Sequence, residues 1–393
     1  MHLKHGIQLG YCTNIHRGEG WAETFAALRD YTLRVRDRVA AGEPYGIGLR
    51  LGNAAAGELS DPAALAEFRR WLDAENCYVF TINGFPYGKF HGTRVKEQVY
   101  APDWSTPERL AYTIRLFDLL DALLPPGMEG SVSTLPGSFK EFVAADPDRA
   151  EAIYANLHAC AAHVAALAEK SGRDLHLGLE PEPLGWFETT AETVAFFAEM
   201  AQRFPGDDRI ARHLGVNYDT CHLAVEFEEP GAALGALRDA GIRMSKLHLS
   251  SALRLQPTAE ALARLRDFQE DTYLHQVVMR REGGDLRRFR DLPPALDFAA
   301  AAAAEPAQIG DEWRVHFHIP LHAQPAAPFG DTQAHLLGVL DALTADPSLC
   351  RHLEMETYTW EVLPNDLRAN NVVDQLEREY RWTLGQLDAR GLR

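Results

Sequence analysis

Short apolar segments alternate with longer amphipathic segments along almost the whole chain, and this alternation constrains the fold more than any other feature. Eight segments predict β-strands, at residues 7–12, 45–51, 78–83, 131–134, 175–180, 213–219, 243–248 and 352–357. The intervening segments carry apolar residues at helical spacings of three and four, for example at residues 21–41, 61–75, 106–124, 146–170, 190–204 and 366–387. Regular strand–helix alternation predicts parallel strands covered by helices.

Eight repeats favour a closed barrel over an open, doubly wound sheet. No GxGxxG turn follows the first predicted strand, which argues further against a dinucleotide-binding fold. The length of 393 residues suits one large barrel with insertions. We therefore predict an α/β fold in which residues 1–393 form a single (β/α)₈ TIM-barrel domain.

One region does not fit the repeat. We interpret residues 250–314 as a long insertion after the seventh strand, with a helix near 258–269, a charged run at 280–290 and an alanine-rich run at 299–304. The apolar segment that follows, residues 315–320, is an alternative eighth barrel strand in place of residues 352–357. The sequence leaves both assignments open.

Composition narrows the classes of partner. The net charge of −17, from 39 basic and 56 acidic residues, disfavours binding to nucleic acid. The five cysteines are scattered without a CxxC pair, which indicates reduced thiols. No segment has the length and apolarity of a signal peptide or a membrane span. We expect a cytoplasmic protein that acts on a small molecule, and the sequence does not indicate its oligomeric state.

Polar residues stand at strand ends where a barrel interior should be apolar. In chain order, the last four strands carry Glu180, then Asp219 with His222, then Lys246 with His248, and finally Glu354 with Glu356. Burying carboxylates and imidazoles costs several kcal/mol unless something compensates them, and a metal ion is a common compensation. The carboxyl ends of barrel strands form the active face of this fold. The pattern therefore predicts a metal site that joins four strands.

The individual residues allow more detail. Two carboxylates on one face of a strand repel each other unless a cation or protons lie between them. Glu356 is nearer the strand end and is our preferred ligand, whereas Glu354 is an expected inner partner of Lys246. We expect Cys221 to turn away from the ligands as a small core residue. Each motif also has a purely structural interpretation, such as an aspartate that caps a helix or a buried acid that pairs with a base.

Mixed oxygen and nitrogen ligands suit Mn²⁺, Zn²⁺, Co²⁺ or Fe²⁺ better than Ca²⁺. For substrate contacts we nominate His16, after the first strand, and Lys89 and His91, in the loop NGFPYGKFHG after the third. Lys89, His91 and the nearby Lys96 could bind an anionic group. The alternative is a structured loop that packs its own aromatic residues.

The order Glu, Asp-x-x-His, His, Glu on successive strands resembles the pattern of the xylose-isomerase-like barrel superfamily. That group contains sugar isomerases, ketose 3-epimerases, hydroxypyruvate isomerase and endonuclease-IV-type repair enzymes. The resemblance implies that Glu180, Asp219, His248 and Glu356 hold one divalent metal, and that Glu180 and Glu356 also transfer protons. It further implies a second metal at His222 with His316 or His318. Multi-metal members have Asp-x-His where this chain has His-x-His, so a full three-zinc site is in doubt.

A narrower resemblance involves the stretches GYCTNIHRGEGW, TINGFPYGKFHGTRVKEQVYAPDW and ETYTWEVLP. They are similar to the EboE-type metabolite-traffic proteins of bacterial ebo clusters. This resemblance implies a setting in the movement or processing of secondary metabolites, without a reaction.

These observations favour metal-assisted proton transfer next to a carbonyl group, of the isomerase or epimerase kind. One glutamate removes the proton and another returns it, with Lys246 as a further catalytic candidate. Two alternatives remain: a metal-dependent phosphoesterase related to endonuclease IV, and a metabolite carrier without catalysis.

Overall fold

The chain forms two β-sheets, one of eight strands and one of five strands. A computed structural model describes residues 1–92, 94–281, 283–302, 306–364 and 367–393. Within them the strands are β1 (Gln8–Tyr11), β2 (Tyr45–Arg50), β3 (Cys77–Asn83), β4 (Gly130–Thr134), β5 (Leu175–Leu179), β6 (Leu214–Asp219), β7 (Arg243–Leu249), β8 (Ala252–Leu255), β9 (Val277–Arg280), β10 (Leu286–Phe289), β11 (Glu312–His318), β12 (Phe329–Asp331) and β13 (His352–Met355).

Eight parallel strands make the barrel, in the order β1-β13-β7-β6-β5-β4-β3-β2. A parallel bridge between Cys12 and Gly48 brings the two edge strands together. Nearly every residue of these strands is buried, as expected for parallel sheets covered by helices. The predicted (β/α)₈ barrel is confirmed, with strand bounds close to those predicted from apolar runs.

Helices separate the barrel strands. The described helices are α1 (Trp21–Ala27), α2 (Leu33–Val39), α3 (Asn53–Leu59), α4 (Pro62–Ala74), α5 (Pro107–Leu123), α6 (Lys140–Ala145), α7 (Arg149–Ser171), α8 (Thr190–Arg203), α9 (Asp208–His213), α10 (Thr220–Val225), α11 (Pro230–Asp239), α12 (Ala259–Leu265), α13 (Leu292–Ala301), α14 (Gln333–Ala345) and α15 (Val372–Ala389). Side chains of Asp61, Thr106 and Thr189 cap α4, α5 and α8. Each of these helices begins within one residue of the start predicted from the apolar spacing. None of the described helices is long and apolar enough to cross a lipid bilayer.

The second sheet lies between β7 and β13 in sequence and is antiparallel, in the order β10-β9-β11-β8-β12. β13 is therefore the eighth barrel strand, and the alternative at residues 315–320 is wrong because that segment pairs with β8 and β9 instead. This sheet extends past the predicted boundary at 314, through β11 to β12. Parts of the predicted charged and alanine-rich runs, at 282 and 303–305, and the predicted start of the last helix at 366 lie outside the described residues.

The second sheet has an apolar core of its own, which includes Trp313 and Phe317 of β11 and Leu296 of α13. Alternate residues of β11 face the other way, and the imidazoles of His316 and His318 pack against that of His222 on α10. The sheet thus delivers two histidines to the carboxyl end of the barrel.

Candidate metal centre

The four predicted ligands converge at the carboxyl ends of β5, β6, β7 and β13. Glu180, Asp219, His248 and Glu356 are buried, and one ligand atom from each lies within 4.8 Å of the others. Nδ1 of His248 is 3.0 Å from Oε1 of Glu180, 3.2 Å from Oε2 of Glu356 and 3.6 Å from Oδ2 of Asp219. Four strands thus supply a mixed oxygen and nitrogen cluster at the active face of the barrel.

The two carboxylate oxygens of Asp219 have different surroundings. Oδ1 accepts hydrogen bonds from the backbone N–H groups of Cys221 and His222 and from the hydroxyl of Ser250. Oδ2 is buried and has no hydrogen-bond partner among the described residues, and the same is true of Oε2 of Glu180. A buried acceptor without a partner costs about 1–3 kcal/mol. The helix-capping interpretation of Asp219 is therefore correct, and it leaves one carboxylate oxygen for a ligand.

The cluster requires positive charge. Burial alone would lower the pKa of His248, but the carboxylates of Glu356 and Glu180 hold that pKa well above its usual range. Burial would raise the pKa of Asp219, yet the nearby imidazoles of His222 and His318 hold it well below its usual range. A divalent cation among these groups meets the same electrostatic demand as a proton on His248. The donor set fits a metal of the Mn²⁺, Zn²⁺, Co²⁺ or Fe²⁺ type.

Glu354 and Lys246 lie beneath the cluster in the barrel interior. Oε2 of Glu354 is 2.7 Å from Nε2 of His248 and 2.5 Å from the ammonium nitrogen of Lys246, which also donates to the hydroxyl of Ser133 at 2.9 Å. Lys246 and His248 outweigh the effect of burial and lower the pKa of Glu354 to about 2. The predicted Glu354–Lys246 partnership is confirmed.

This arrangement places Lys246, the further catalytic candidate, below the pocket. Its side chain is fully buried and does not line the pocket above the metal cluster. Because Glu354 engages Nε2 of His248, the other ring nitrogen is directed toward the carboxylates. Lys246 contacts the metal cluster only through Glu354, within the part of the chain that the structure describes.

Three histidines form a second cluster beside the first. Nδ1 of His222 is 3.1 Å from the carbonyl oxygen of Pro181, and Nδ1 of His318 is 3.0 Å from that of Glu356. Nδ1 of His316 is 2.8 Å from Oε1 of Gln276. These oxygens can only accept, so each Nδ1 donates, and the neutral form of each ring has its lone pair on Nε2.

Among the described residues, the Nε2 atoms of these three rings have no hydrogen-bond partner outside the histidine cluster. Those of His222 and His318 face each other at 3.4 Å, and that of His316 has no hydrogen-bond partner. Burial and the neighbouring imidazoles hold the pKa of His316 well below its usual range. Asp219, His222 and His318 form one group with ligand atoms within 4.8 Å, and Glu182, His222 and His316 form another. Imidazole lone pairs that converge in this way are typical of a metal site.

Two further residues lie near this second cluster. Cys221 packs in a small apolar cluster, as predicted, but its sulfur also lies within 4.8 Å of ligand atoms of His316 and His318. The prediction of a small core residue is confirmed, and its sulfur additionally lies beside two candidate ligands of the second site. Glu182 is buried beside the site, and burial with the charge of Glu180 raises its pKa well above the usual range. Because Glu182 lies between two prolines, the sequence did not indicate that its side chain would be buried beside the site.

A pocket opens above both clusters. Glu180, Glu182, Glu356, His222 and His316 line its base. Asn14 and Asn83 donate to Oε1 of Glu356 at 2.7 and 3.3 Å and were not identified from the sequence. Their amide side chains follow β1 and end β3, at the same face as the ligands.

Of the predicted substrate contacts, Lys96 lines this pocket, whereas His16, Lys89 and His91 do not. His16 accepts or donates a hydrogen bond with the hydroxyl of Tyr11 at 2.7 Å and stacks on Tyr31. Lys89 is exposed and does not line the pocket. His91 stands behind the pocket wall, where its ring bridges the Tyr273 hydroxyl at 2.7 Å and the Asn14 carbonyl at 2.5 Å. The loop follows the alternative interpretation, in which it packs its own aromatic rings.

Comparison with known proteins identifies the fold. No family model and no curated protein sequence matches the chain. Among solved structures, D-psicose 3-epimerase from Clostridium cellulolyticum H10, with D-tagatose, is similar at a TM-score of 0.51 and 14% identity, over 96% of this chain and 97% of that one. A D-tagatose 3-epimerase-like protein matches at a TM-score of 0.50 and 10% identity, over 98% of both chains. At these identities the likeness shows the fold alone, which is the predicted (β/α)₈ barrel.

Proposed function

We propose that the protein is a divalent-metal-dependent enzyme that moves a proton at a carbon next to a carbonyl group, as isomerases and epimerases do. The observation that carries this proposal is the convergence of Glu180, Asp219, His248 and Glu356 with buried, unpartnered carboxylate oxygens at the base of a pocket. The sugar epimerases of similar fold agree with this reaction class.

When bound, a divalent metal would stabilise negative charge that develops on a carbonyl oxygen of the substrate. Asp219 and His248 serve as ligands, and Glu354 orients His248 from below. Glu180 and Glu356 stand on different strands around the cluster, so each can exchange a proton with the substrate from its own side. Asn14 and Asn83 hold the Glu356 carboxylate in place. Burial of the cluster excludes bulk water from the transferred proton.

Metal retention provides the first test. We expect the dialysed protein to hold at least one equivalent of a transition metal by elemental analysis, and the Glu180→Gln/Asp219→Asn double variant to lose it. Asparagine can still cap α10 through its side-chain oxygen, so the fold should survive, as circular dichroism would show. Metal content unchanged from the wild type in the double variant would refute the site.

Proton exchange provides the second test. In D₂O, the metal-loaded protein should incorporate deuterium beside the carbonyl of hydroxyacetone or 2-hydroxyacetophenone, as followed by NMR. Glu180→Gln and Glu356→Gln should slow this exchange about 100-fold or more, whereas the exposed control Glu67→Gln should not change it. Exchange at equal rates in all four proteins would contradict the proposed role of the glutamates.

The histidine cluster favours a second candidate function, metal-dependent hydrolysis of a phosphoester. Two adjacent metals can stabilise both the attacking and the leaving oxygen, and His222, His316 and His318 offer a second site next to the first. Cleavage of bis(p-nitrophenyl) phosphate that disappears in His316→Gln/His318→Gln would favour this candidate. Metal binding without exchange or cleavage would instead favour a carrier, in line with the resemblance to metabolite-traffic proteins.

A further inference from the structure

We propose that the pocket takes a substrate with an apolar, aromatic-sized body and a single oxygen-bearing end that reaches the metal cluster, and that it discriminates against free sugars. This inference rests on the proposed metal centre and adds the class of molecule that the centre serves. It follows from the different chemistry of the pocket base and the pocket wall.

Free polar atoms are concentrated at the base of the pocket. The buried atoms without a hydrogen-bond partner include Oε2 of Glu180, Oε1 of Glu182, Nε2 of His316 and Oδ1 of Asn14. All of these can accept a hydrogen bond or bind a metal ion. A substrate can therefore make its polar contacts at this end, directly or through the metal.

The wall above the base is apolar and aromatic. Phe90, Tyr273 and Tyr358 form a three-ring cluster with centroid separations of 5.2 to 5.3 Å. Phe85 and Tyr100 make a second ring pair with centroids 5.7 Å apart. Val95, Val99, Pro86 and Leu274 fill the remaining wall. Surfaces of this kind bind flat apolar groups through offset and edge contacts.

Most of the polar groups on the wall are engaged by protein partners, although the buried Tyr100 hydroxyl has no hydrogen-bond partner among the described residues. The Tyr273 hydroxyl is 2.7 Å from Nδ1 of His91. The Lys96 ammonium contacts the Tyr273 carbonyl at 2.6 Å and the Asp291 carboxylate at 2.7 Å, and the Gln276 amide group donates to the Pro183 carbonyl at 3.0 Å. Among the described lining residues, these side chains have little capacity to bind the hydroxyl groups of a ligand.

A sugar would leave several of its hydroxyl groups against this wall without partners. Each unpaired hydroxyl weakens binding about tenfold or more. A phenyl or similar apolar group loses nothing there and gains from the water it displaces. The wall therefore selects for an apolar body even though the fold is shared with sugar epimerases.

Three hydroxamates test the inference, because they share one metal-binding head and differ only in the body. We would titrate the metal-loaded, full-length protein with acetohydroxamate, benzohydroxamate and D-gluconohydroxamate by isothermal titration calorimetry. We expect benzohydroxamate to bind at least about tenfold more tightly than acetohydroxamate. D-Gluconohydroxamate should bind no more tightly than acetohydroxamate.

Two variants test whether the aromatic wall causes the preference for benzohydroxamate. Phe90→Ala removes one ring of the wall and should reduce the preference for benzohydroxamate several-fold, while acetohydroxamate affinity and metal content stay unchanged. Tyr31→Ala removes a ring of similar size from an exposed position outside the pocket and should leave the preference intact.

Equal affinity for all three hydroxamates, or tightest binding of D-gluconohydroxamate, would overturn the inference and leave the metal centre standing. No binding of any hydroxamate, together with protein that retains no metal, would refute the metal centre itself and this inference with it.

Discussion

At the scale of single residues, the Lys246–Glu354 ion pair lies fully buried at the centre of the barrel. Removing one member of a buried pair leaves an uncompensated charge and typically costs about 3–5 kcal/mol. We expect Lys246→Met to lose that much unfolding free energy in urea, and Lys246→Met/Glu354→Gln to recover part of the loss. A single variant within about 1 kcal/mol of the wild type would contradict the charge pairing.

Glu379 predicts a pH dependence of stability. Burial raises its pKa from the ordinary value of 4.5 to about 7, and its Oε2 accepts a hydrogen bond from the Thr357 hydroxyl at 2.8 Å. The folded state thus keeps a proton that the unfolded state releases, so this group destabilises the fold progressively as pH rises from about 4.5 to about 7.

Substitution of Glu379 isolates this effect. Relative to the wild type, Glu379→Gln should gain roughly 3 kcal/mol of unfolding free energy between pH 4 and pH 8 in urea titrations. The exposed control Glu67→Gln should gain none. A difference between Glu379→Gln and the wild type that stays constant with pH would show that Glu379 does not titrate in this range.

At the scale of elements, β2 must leave space for the carboxylate of Glu354 inside the barrel. A Cβ at Gly48 would overlap this carboxylate and lie 2.7 Å from the Tyr11 carbonyl oxygen. We expect Gly48→Ala to lose about 1–3 kcal/mol of unfolding free energy and to weaken metal binding through the displaced Glu354.

A glycine in a helix serves as the control. Gly235 on α11 has open space around its Cβ position, so Gly235→Ala should be neutral or gain up to about 1 kcal/mol. If both alanine variants were equally stable, the packing of Glu354 against β2 would be wrong.

The barrel elements were predictable because their signals are local. Eight buried strands are apolar runs, and Asp61, Thr106 and Thr189 mark helix starts with capping chemistry. Apart from the strand candidate at residues 315–320, the second sheet was not predicted, because its other four strands have only three or four residues and β8 and β12 pair across a gap of more than seventy residues. Such pairing depends on tertiary contacts that no local pattern encodes.

The site was also predictable in part, again where its signal is local. Polar residues at strand ends are conspicuous against apolar strands, which identified Glu180, Asp219, His248 and Glu356. Asn14 and Glu182 lie in loops whose course depends on the rest of the fold. His16 and Lys89 were nominated from position alone, and the chain path turns them away from the pocket.

At the scale of the whole molecule, the second sheet and the barrel both contribute residues to the histidine cluster. β11 contributes His316 and His318 to a cluster whose other members, His222 and Asp219, come from the barrel. We expect about two metal equivalents per chain at saturating metal and about one in His316→Gln/His318→Gln, measured by elemental analysis after gel filtration. Unchanged stoichiometry in that variant would mean that the histidine cluster binds no metal.

The most direct test of the central claim is anomalous diffraction from a crystal grown with Zn²⁺ or Mn²⁺, recorded at the absorption edge of the metal. We predict an anomalous peak about 2.0–2.3 Å from ligand atoms of Glu180, Asp219 and Glu356 and from Nδ1 of His248. A fully metal-loaded crystal without a peak among these four side chains would contradict the account.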